Sequence, residues 1–263
     1  MTRAPGTGPG SGSAAGGSGS AAGGSGSAAG GAARLPQGQA KVAAVRAMFD
    51  AIAPRYDLVN RVMTLNLDRG WRRHAVRSLG LPPRSLVLDL ATGTGDLCRD
   101  LVAAGHRPVG LDLSRGMLAH ARTTAPLIQG DGLDLPLPGR SLDGVVSGFA
   151  LRNVIDLPAL FAELARVVRP GGRAALLDIG RPANPLLRLG HAVYFGRVVP
   201  RIGAALSDAD AYRYLPRSLA YLPDPPALVA QLREAGWGAV ERRTLTGGVA
   251  QLLTGTRERE RDR

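Results

Sequence analysis

Apolar residues recur at helical spacing at Val42, Val45, Phe49 and Ile52, so the chain is predicted helical from about Gln39 to Leu79, interrupted at Pro54. Beyond that stripe the pattern changes to short apolar runs alternating with amphipathic ones. Strands are predicted near 85–90, 107–112, 126–130, 142–148 and 173–179, and helices near 95–104, 114–124 and 156–168. Pro170-Gly171-Gly172 reads as a tight turn feeding the fifth strand. An irregular, partly helical stretch runs from Pro182 to Leu222, and a pair of antiparallel strands follows near 239–245 and 249–255, on either side of Gly247-Gly248. The order predicts an α/β fold: a doubly wound, mostly parallel seven-stranded sheet with an antiparallel C-terminal strand and N-terminal helices. Ligands of such sheets bind at the carboxyl ends of the strands.

At the first strand end, Leu86-Val87-Leu88-Asp89-Leu90-Ala91-Thr92-Gly93-Thr94-Gly95-Asp96 runs an apolar strand into a Gly-x-Gly turn, as in Rossmann-like nucleoside sites. Gly93 and Gly95 let the main chain approach a ligand, and the following helix points its free N–H groups at it. A third glycine or alanine of the dinucleotide fingerprint would stand at position 98, which is Cys98. Asp112 ends the second strand, where a nucleoside site places the carboxylate that accepts the ribose hydroxyls. Asp131 follows the third. Asp89, Asp112 and Asp131 together make a row of acids that disfavours a pyrophosphate and suits the sulfonium and ammonium of S-adenosylmethionine. The same acids could serve as helix N-caps.

Composition adds a leader and an arginine excess. Residues 1–38 have almost no apolar side chain larger than alanine and repeat Ser-Gly-Ser-Ala-Ala-Gly-Gly three times, so they are expected to be a disordered tether. The domain proper is expected over 39–256, with a charged tail at 257–263. No stretch approaches a membrane span or a signal peptide. Cys98 is the single cysteine, which excludes an internal disulfide and a cysteine-rich zinc site, and the expected compartment is the cytoplasm. The four histidines have no metal-ligand spacing, and no metal is expected. The net charge of +12 is spread along the chain as scattered arginines, with Lys41 the only lysine. That distribution does not point to nucleic acid but favours anionic lipid headgroups. Tyr194, Phe195, Tyr212, Tyr214 and Tyr221 either form a core under a loop or line an acceptor pocket.

Three segments carry a resemblance. Leu88–Asp96, then Asp112-Leu113-Ser114-x-x-Met117-Leu118, then Phe149-Ala150-Leu151-Arg152-Asn153-Val154 resemble the menaquinone and ubiquinone biosynthesis C-methyltransferases. The likeness extends to Met48-Phe49-Asp50-x-Ile52-Ala53-x-Arg55-Tyr56-Asp57 and to Tyr212-x-Tyr214-Leu215-Pro216-x-Ser218, covering about residues 42–256. It implies methylation of a ring carbon of a polyprenylated quinol, chiefly demethylmenaquinol, by S-adenosylmethionine. Matching residues imply cofactor contacts at Thr94, Asp112, Asp131 and Gly132, beside Asp89, Gly93 and Gly95. The same matching places the catalytic groups on Tyr56, Arg152 and Asn153. Gly148 stands where several relatives have a cofactor-contacting serine, and Ala150 where glycine is commoner.

The chemistry constrains these roles. A quinol carbon becomes nucleophilic when the adjacent hydroxyl, with a pKa near 10, loses its proton. Arg152 cannot be the base, since guanidinium stays protonated, and is assigned to stabilising the phenolate or orienting a water. Asn153 would bond that water or the oxygen, and Tyr56 would position the ring. Asp57 and His191 are alternative bases. A soluble aromatic acceptor remains open as the substrate, as do naphthoquinol against benzoquinol and a homodimer. Arg188, Arg197 and Arg201 flank the segment Leu186 to Ile202, which is expected to lie over the acceptor pocket as a mobile lid and to dock on the inner face of the cell membrane.

Overall fold

The computed structural model describes residues 37–198, 201 and 218–259. Residues 1–36 of the leader, most of the segment 199–217 with Tyr212 and Tyr214, and the tail beyond 259 lie outside the described residues.

The long predicted helix is three helices. α1 (Gly38–Ile52) ends in a 3-10 turn (Ala53–Arg55) at Pro54, as its ring requires, and α2 (Tyr56–Met63) and α3 (Asp68–Ser78) follow. The second break has no glycine or proline to announce it. Leu65 and Asn66 take left-handed backbone angles there (φ 51° and 63°), and the Thr64 hydroxyl closes the turn on Asp68 Oδ1 at 2.7 Å.

The remaining helices alternate with the strands. β1 (Leu86–Leu90), α4 (Asp96–Ala103), β2 (Arg107–Asp112), α5 (Arg115–Ala119), β3 (Leu127–Gln129), β4 (Leu142–Gly148), α6 (Leu157–Val167) and β5 (Val168–Ile179) form the doubly wound part. α7 (Pro185–Val193), α8 (Pro225–Glu234), β6 (Trp237–Leu245) and β7 (Ala250–Arg257) complete it. α5 is shorter than predicted, for the chain after His120 meets Thr123, Thr124 and Pro126, and a residue before proline is pushed out of helical angles. β5 starts earlier than predicted, at Val168. Its pairing with β4 jumps from Leu142–Val168 to Gly144–Arg173, and Gly171 (φ 82°) absorbs the irregularity.

The sheet order is β3-β2-β1-β4-β5-β7-β6. β1 to β5 pair in parallel, while β7 is antiparallel to both its neighbours, β5 and β6. The direction of winding reverses between β1 and β4, which opens a crevice at their carboxyl ends. Successive residues of each strand serve opposite cores, as a pleated sheet covered on both faces demands. Leu88, Val145, Leu176 and Leu253 pack with α6 and α8. Val87, Val146, Leu177 and Leu252 pack with α3 and α4. A third, smaller cluster joins Ile52, Val59 and Met63 of the N-terminal helices to Met117 of α5. No helix among the described residues is long and apolar enough to cross a membrane.

Candidate active site

The crevice holds a cavity of about 970 Å³, counting its open mouth. Its floor is the turn after β1 (Leu90, Ala91, Gly93), and its walls are the ends of β2 and β4 and the Asp131-Gly132-Leu133 turn after β3. α1 forms the roof through Val42, Val45, Arg46 and Phe49. Two lining residues that are not glycine, Ala91 (φ 54°) and Phe149 (φ 62°), sit in the left-handed region. Such angles are sparsely populated by L residues and gather at ligand sites.

Asp112 occupies the place expected of a ribose carboxylate. The Gly93 N–H donates to its Oδ2 and the Ser114 N–H to its Oδ1, each at 2.8 Å, so both oxygens are held in place in a residue that lines the cavity. Burial raises its pKa, with those N–H bonds opposing. Gly93 and Gly95 carry the left-handed angles expected of them (φ 56° and 83°), and a Cβ on Gly95 would stand 2.8 Å from Thr123 Cγ2. Asp131 is exposed and lines the cavity with Gly132, and its Oδ1 accepts the Leu133 N–H at 2.9 Å. Tyr56 and Asn153 also line it.

Four predicted site residues are placed differently. Asp89 is 0% exposed and points away from the lining. Its Oδ2 accepts the Thr92 hydroxyl at 2.6 Å and the Cys98 N–H at 3.0 Å, while Oδ1 has no hydrogen-bond partner among the described residues. It therefore folds the turn from beneath, and burial pushes its pKa up to about 7. Thr94 and Gly95 lie outside the lining as well. Thr94 donates its hydroxyl to Asp57 at 2.5 Å, which ties the glycine turn to α2 and engages one alternative base. Arg152 is buried behind the lining: its guanidinium pairs with Asp178 at the end of β5, and its N–H donates to the same carboxylate at 3.2 Å. A guanidinium held there braces the turn that carries Asn153 and does not line the cavity. The other alternative base, His191, is on α7 outside the lining, and burial lowers its pKa.

Three residues that sequence reasoning passed over shape the site. Asp50 of α1 accepts the Ser114 hydroxyl at 2.5 Å and the Gly116 N–H at 2.8 Å, pinning the roof to the β2–α5 turn. Asp178 anchors Arg152. Lys41 is buried on α1. Its neighbours Val42 and Val45 form the helical stripe, and although Lys41 stands out as the only lysine, the pattern along the chain does not reveal its burial. The aromatic cluster of 182–222 splits: Tyr194 packs on the Ile52–Met63 cluster and donates to Met63 O at 2.9 Å, and Tyr221 lies under Lys41. Among the described residues, the aromatic rings that line the cavity are those of Phe49, Tyr56 and Phe149. Among the described residues no group of three metal-ligating side chains is gathered.

The outer surface has one distinctive region. α7 buries none of its residues, and Leu186 is 80% exposed. Of the large apolar side chains exposed among the described residues, all but Val102 lie on α7 and its continuation to Val198 or on Leu58 to Leu67. The Tyr194 bond to Met63 joins these two segments.

The arrangement fits an adenosyl group: a turn with left-handed backbone angles, a carboxylate where a ribose would lie, and a largely apolar crevice open to solvent. Comparison with known proteins agrees. A crystal structure of a SAM-dependent methyltransferase from Thermotoga maritima superposes with a TM-score of 0.59 at 16% identity, covering 81% of this chain and 99% of that one. A phosphoethanolamine N-methyltransferase from Haemonchus contortus, in complex with S-adenosyl-L-methionine, gives 0.55 at 13% identity over 72% of this chain and 53% of that one. At those identities the likeness is one of fold. In sequence, a demethylmenaquinone methyltransferase from Roseiflexus castenholzii is 43% identical over 212 residues, 78% of this chain and 89% of the relative. A ubiquinone/menaquinone biosynthesis C-methyltransferase from Syntrophotalea carbinolica is 41% identical over 219 residues, 79% and 92% of the two chains. The family profile described as ubiE/COQ5 methyltransferase matches residues 37–257, and the chain belongs to that family.

Proposed function

We propose that the protein methylates a ring carbon of a polyprenylated quinol, converting demethylmenaquinol to menaquinol. The observation that carries this reading is the continuity of one cavity from the Asp112 carboxylate to the apolar wall of Val42, Val45, Phe49 and Phe149. The polar end suits an adenosyl group, and the apolar end suits a naphthoquinol ring. Relatives with the demethylmenaquinone methyltransferase name support the acceptor. When bound, S-adenosylmethionine supplies an electrophilic methyl group whose C–S bond breaks as the ring carbon takes it.

The chain's own residues bind and orient. Asp112 receives the ribose hydroxyls, and Gly93 brings the backbone close. Asn153, held by the Arg152–Asp178 pair behind it, is placed to hydrogen-bond the acceptor oxygen or the water that takes its proton. Tyr56, packed edge-on against Phe49 with centroids 6.1 Å apart, positions the ring and closes the chamber. The exposed apolar surface of α2 and α7, with Arg188, Arg197 and Arg201 along it, docks on an anionic bilayer where a long isoprenoid tail resides.

The test is incubation with S-adenosylmethionine and short-chain demethylmenaquinol, with mass detection of product. Methylated quinol should form only under reducing conditions, because the oxidised ring has no hydroxyl to ionise. Equal turnover of the quinone, or turnover of soluble naphthols alone, overturns the reading.

A further inference from the structure

Lys41 is the one lysine among the chain's 33 lysine and arginine residues. It is 3% exposed, and its ammonium donates to the Val154 carbonyl at 2.8 Å and lies 3.7 Å from the centroid of the Tyr221 ring. No carboxylate pairs with it among the described residues, and desolvation alone lowers its pKa, to about 8. Its neighbour on α1, Val42, and its acceptor, Val154, both line the cavity. The two other basic groups at this wall are matched by acids, Arg46 by Asp50 at 3.9 Å and Arg152 by Asp178.

A buried cation without a counter-ion is costly, and an anion arriving beside it relieves that cost. In a chain that uses arginine at every other such position, a compact ammonium stands where one charge must meet both a carbonyl and an aromatic face. We propose that Lys41 is the charge that draws the acceptor hydroxyl to its anionic form, while its bond to Val154 holds the Asn153 turn against helix α1. This rests on the quinol reading. The hydroxyl proton passes to water, and its electron pair stays on the oxygen, delocalised into the ring carbon that is methylated. Lys41 acts through space and through Val154, as a positioning residue.

Among the described residues, the other charged and titratable groups around it are Arg46 on α1, Arg152 with Asp178 behind the Asn153 turn, Tyr221 beneath, and Tyr56, Asp112 and Asp131 in the cavity lining. A unit charge roughly 8 Å from an ionising group, at an effective dielectric of about 20, moves its pKa by about 1.5 units. The effect is full well below pH 8, is halved near it and fades above it as Lys41 loses its proton.

The experiment measures, by absorbance, the pKa of 2-naphthol bound to the full-length protein with S-adenosylhomocysteine, whose thioether carries no charge. In the wild type the bound naphthol should ionise about 1–1.5 units below its value in water. Lys41→Met and Lys41→Gln should abolish that shift while S-adenosylhomocysteine affinity changes less than about threefold, and Lys41→Arg should keep most of it. Should the charge-free variants fail to fold, the wild type and Lys41→Arg carry the test, since both keep the charge and both must show the lowered pKa. A bound pKa at or above that in water, or a lowered one unmoved by removing the charge, overturns the proposal. A wild type that methylates demethylmenaquinol but does not shift naphthol sinks the Lys41 proposal alone. A shifted naphthol without quinol turnover sinks the quinol reading alone.

Discussion

Asp89 and Asp112 end adjacent strands, yet Asp89 is enclosed beneath the glycine turn while Asp112 lines the cavity, where we propose that it receives the ribose. Asp112 keeps both oxygens at the cavity wall, and charge-assisted bonds to a ribose diol contribute about 1.5–3 kcal/mol each. Asp112→Ala should therefore weaken S-adenosylmethionine binding at least about tenfold, read by calorimetry, without unfolding the protein. Asp89 has its pKa pushed from 3.8 up to about 7 by burial. Between those values the folded protein holds a proton that the unfolded chain has lost. The contribution of this group is full below about pH 4, declines as the pH rises to about 7, and is gone above it. Asp89→Asn should remove that decline, so the urea midpoint of the wild type should drop relative to the variant between pH 5 and 7.5. Parallel midpoints would show Asp89 to be ionised throughout. Arg152, paired in the interior with Asp178, makes a third case. Breaking a buried pair by removing one partner costs about 3–5 kcal/mol. Arg152→Met should lower the melting temperature by several degrees along with activity, whereas a group that only touched the acceptor would lower activity at unchanged stability.

Elements differed in how plainly their sequences announced them. The parallel strands were legible because each is a short apolar run, and the glycine turn was legible because Gly93 and Gly95 occupy the backbone angles that made glycine necessary. The break between α2 and α3 was not, since Leu65 and Asn66 adopt left-handed angles without glycine. The site was half legible. Asp112, Asp131, Gly132, Tyr56 and Asn153 line the cavity, but motif residues Thr94 and Arg152 face partners, Asp57 and Asp178, that lie far away in sequence. Periodicity cannot reveal such pairings. The arginine-bearing α7 was expected as part of a mobile lid over the acceptor pocket, yet it contributes nothing to the described lining, and the exposed apolar residues from Leu58 to Leu67 beside it emerge only from the bond between Tyr194 and Met63. That bond makes the docking prediction sharper. Leu65→Ser with Leu186→Ser should reduce binding to anionic vesicles by at least about tenfold, and replacing Arg188, Arg197 and Arg201 by glutamine should remove its salt sensitivity. Cofactor affinity should not change in either variant. Equal partitioning of the wild type to neutral and anionic vesicles at low salt would exclude electrostatic docking.

At the scale of the whole molecule, the family profile begins at residue 37, where α1 is about to start. Removal of residues 1–36 should leave the melting temperature and S-adenosylmethionine affinity unaltered, and a loss of several degrees would show that the leader contributes to the fold. The placement of β7 between β5 and β6 has a temporal consequence. As the chain leaves the ribosome, β6 emerges with no strand to pair with, because its sole neighbour in the sheet follows it in the sequence. Meanwhile the edge of β5, apolar on both faces from Ala174 to Leu177, stays open. Synthesis thus passes through a window in which five strands can be assembled while their growing edge is bare, the condition in which nascent chains stick to one another. Stalling translation with β6 exposed but β7 still in the exit tunnel should yield a chain that chaperones hold, and extending it by the β7 segment should release it.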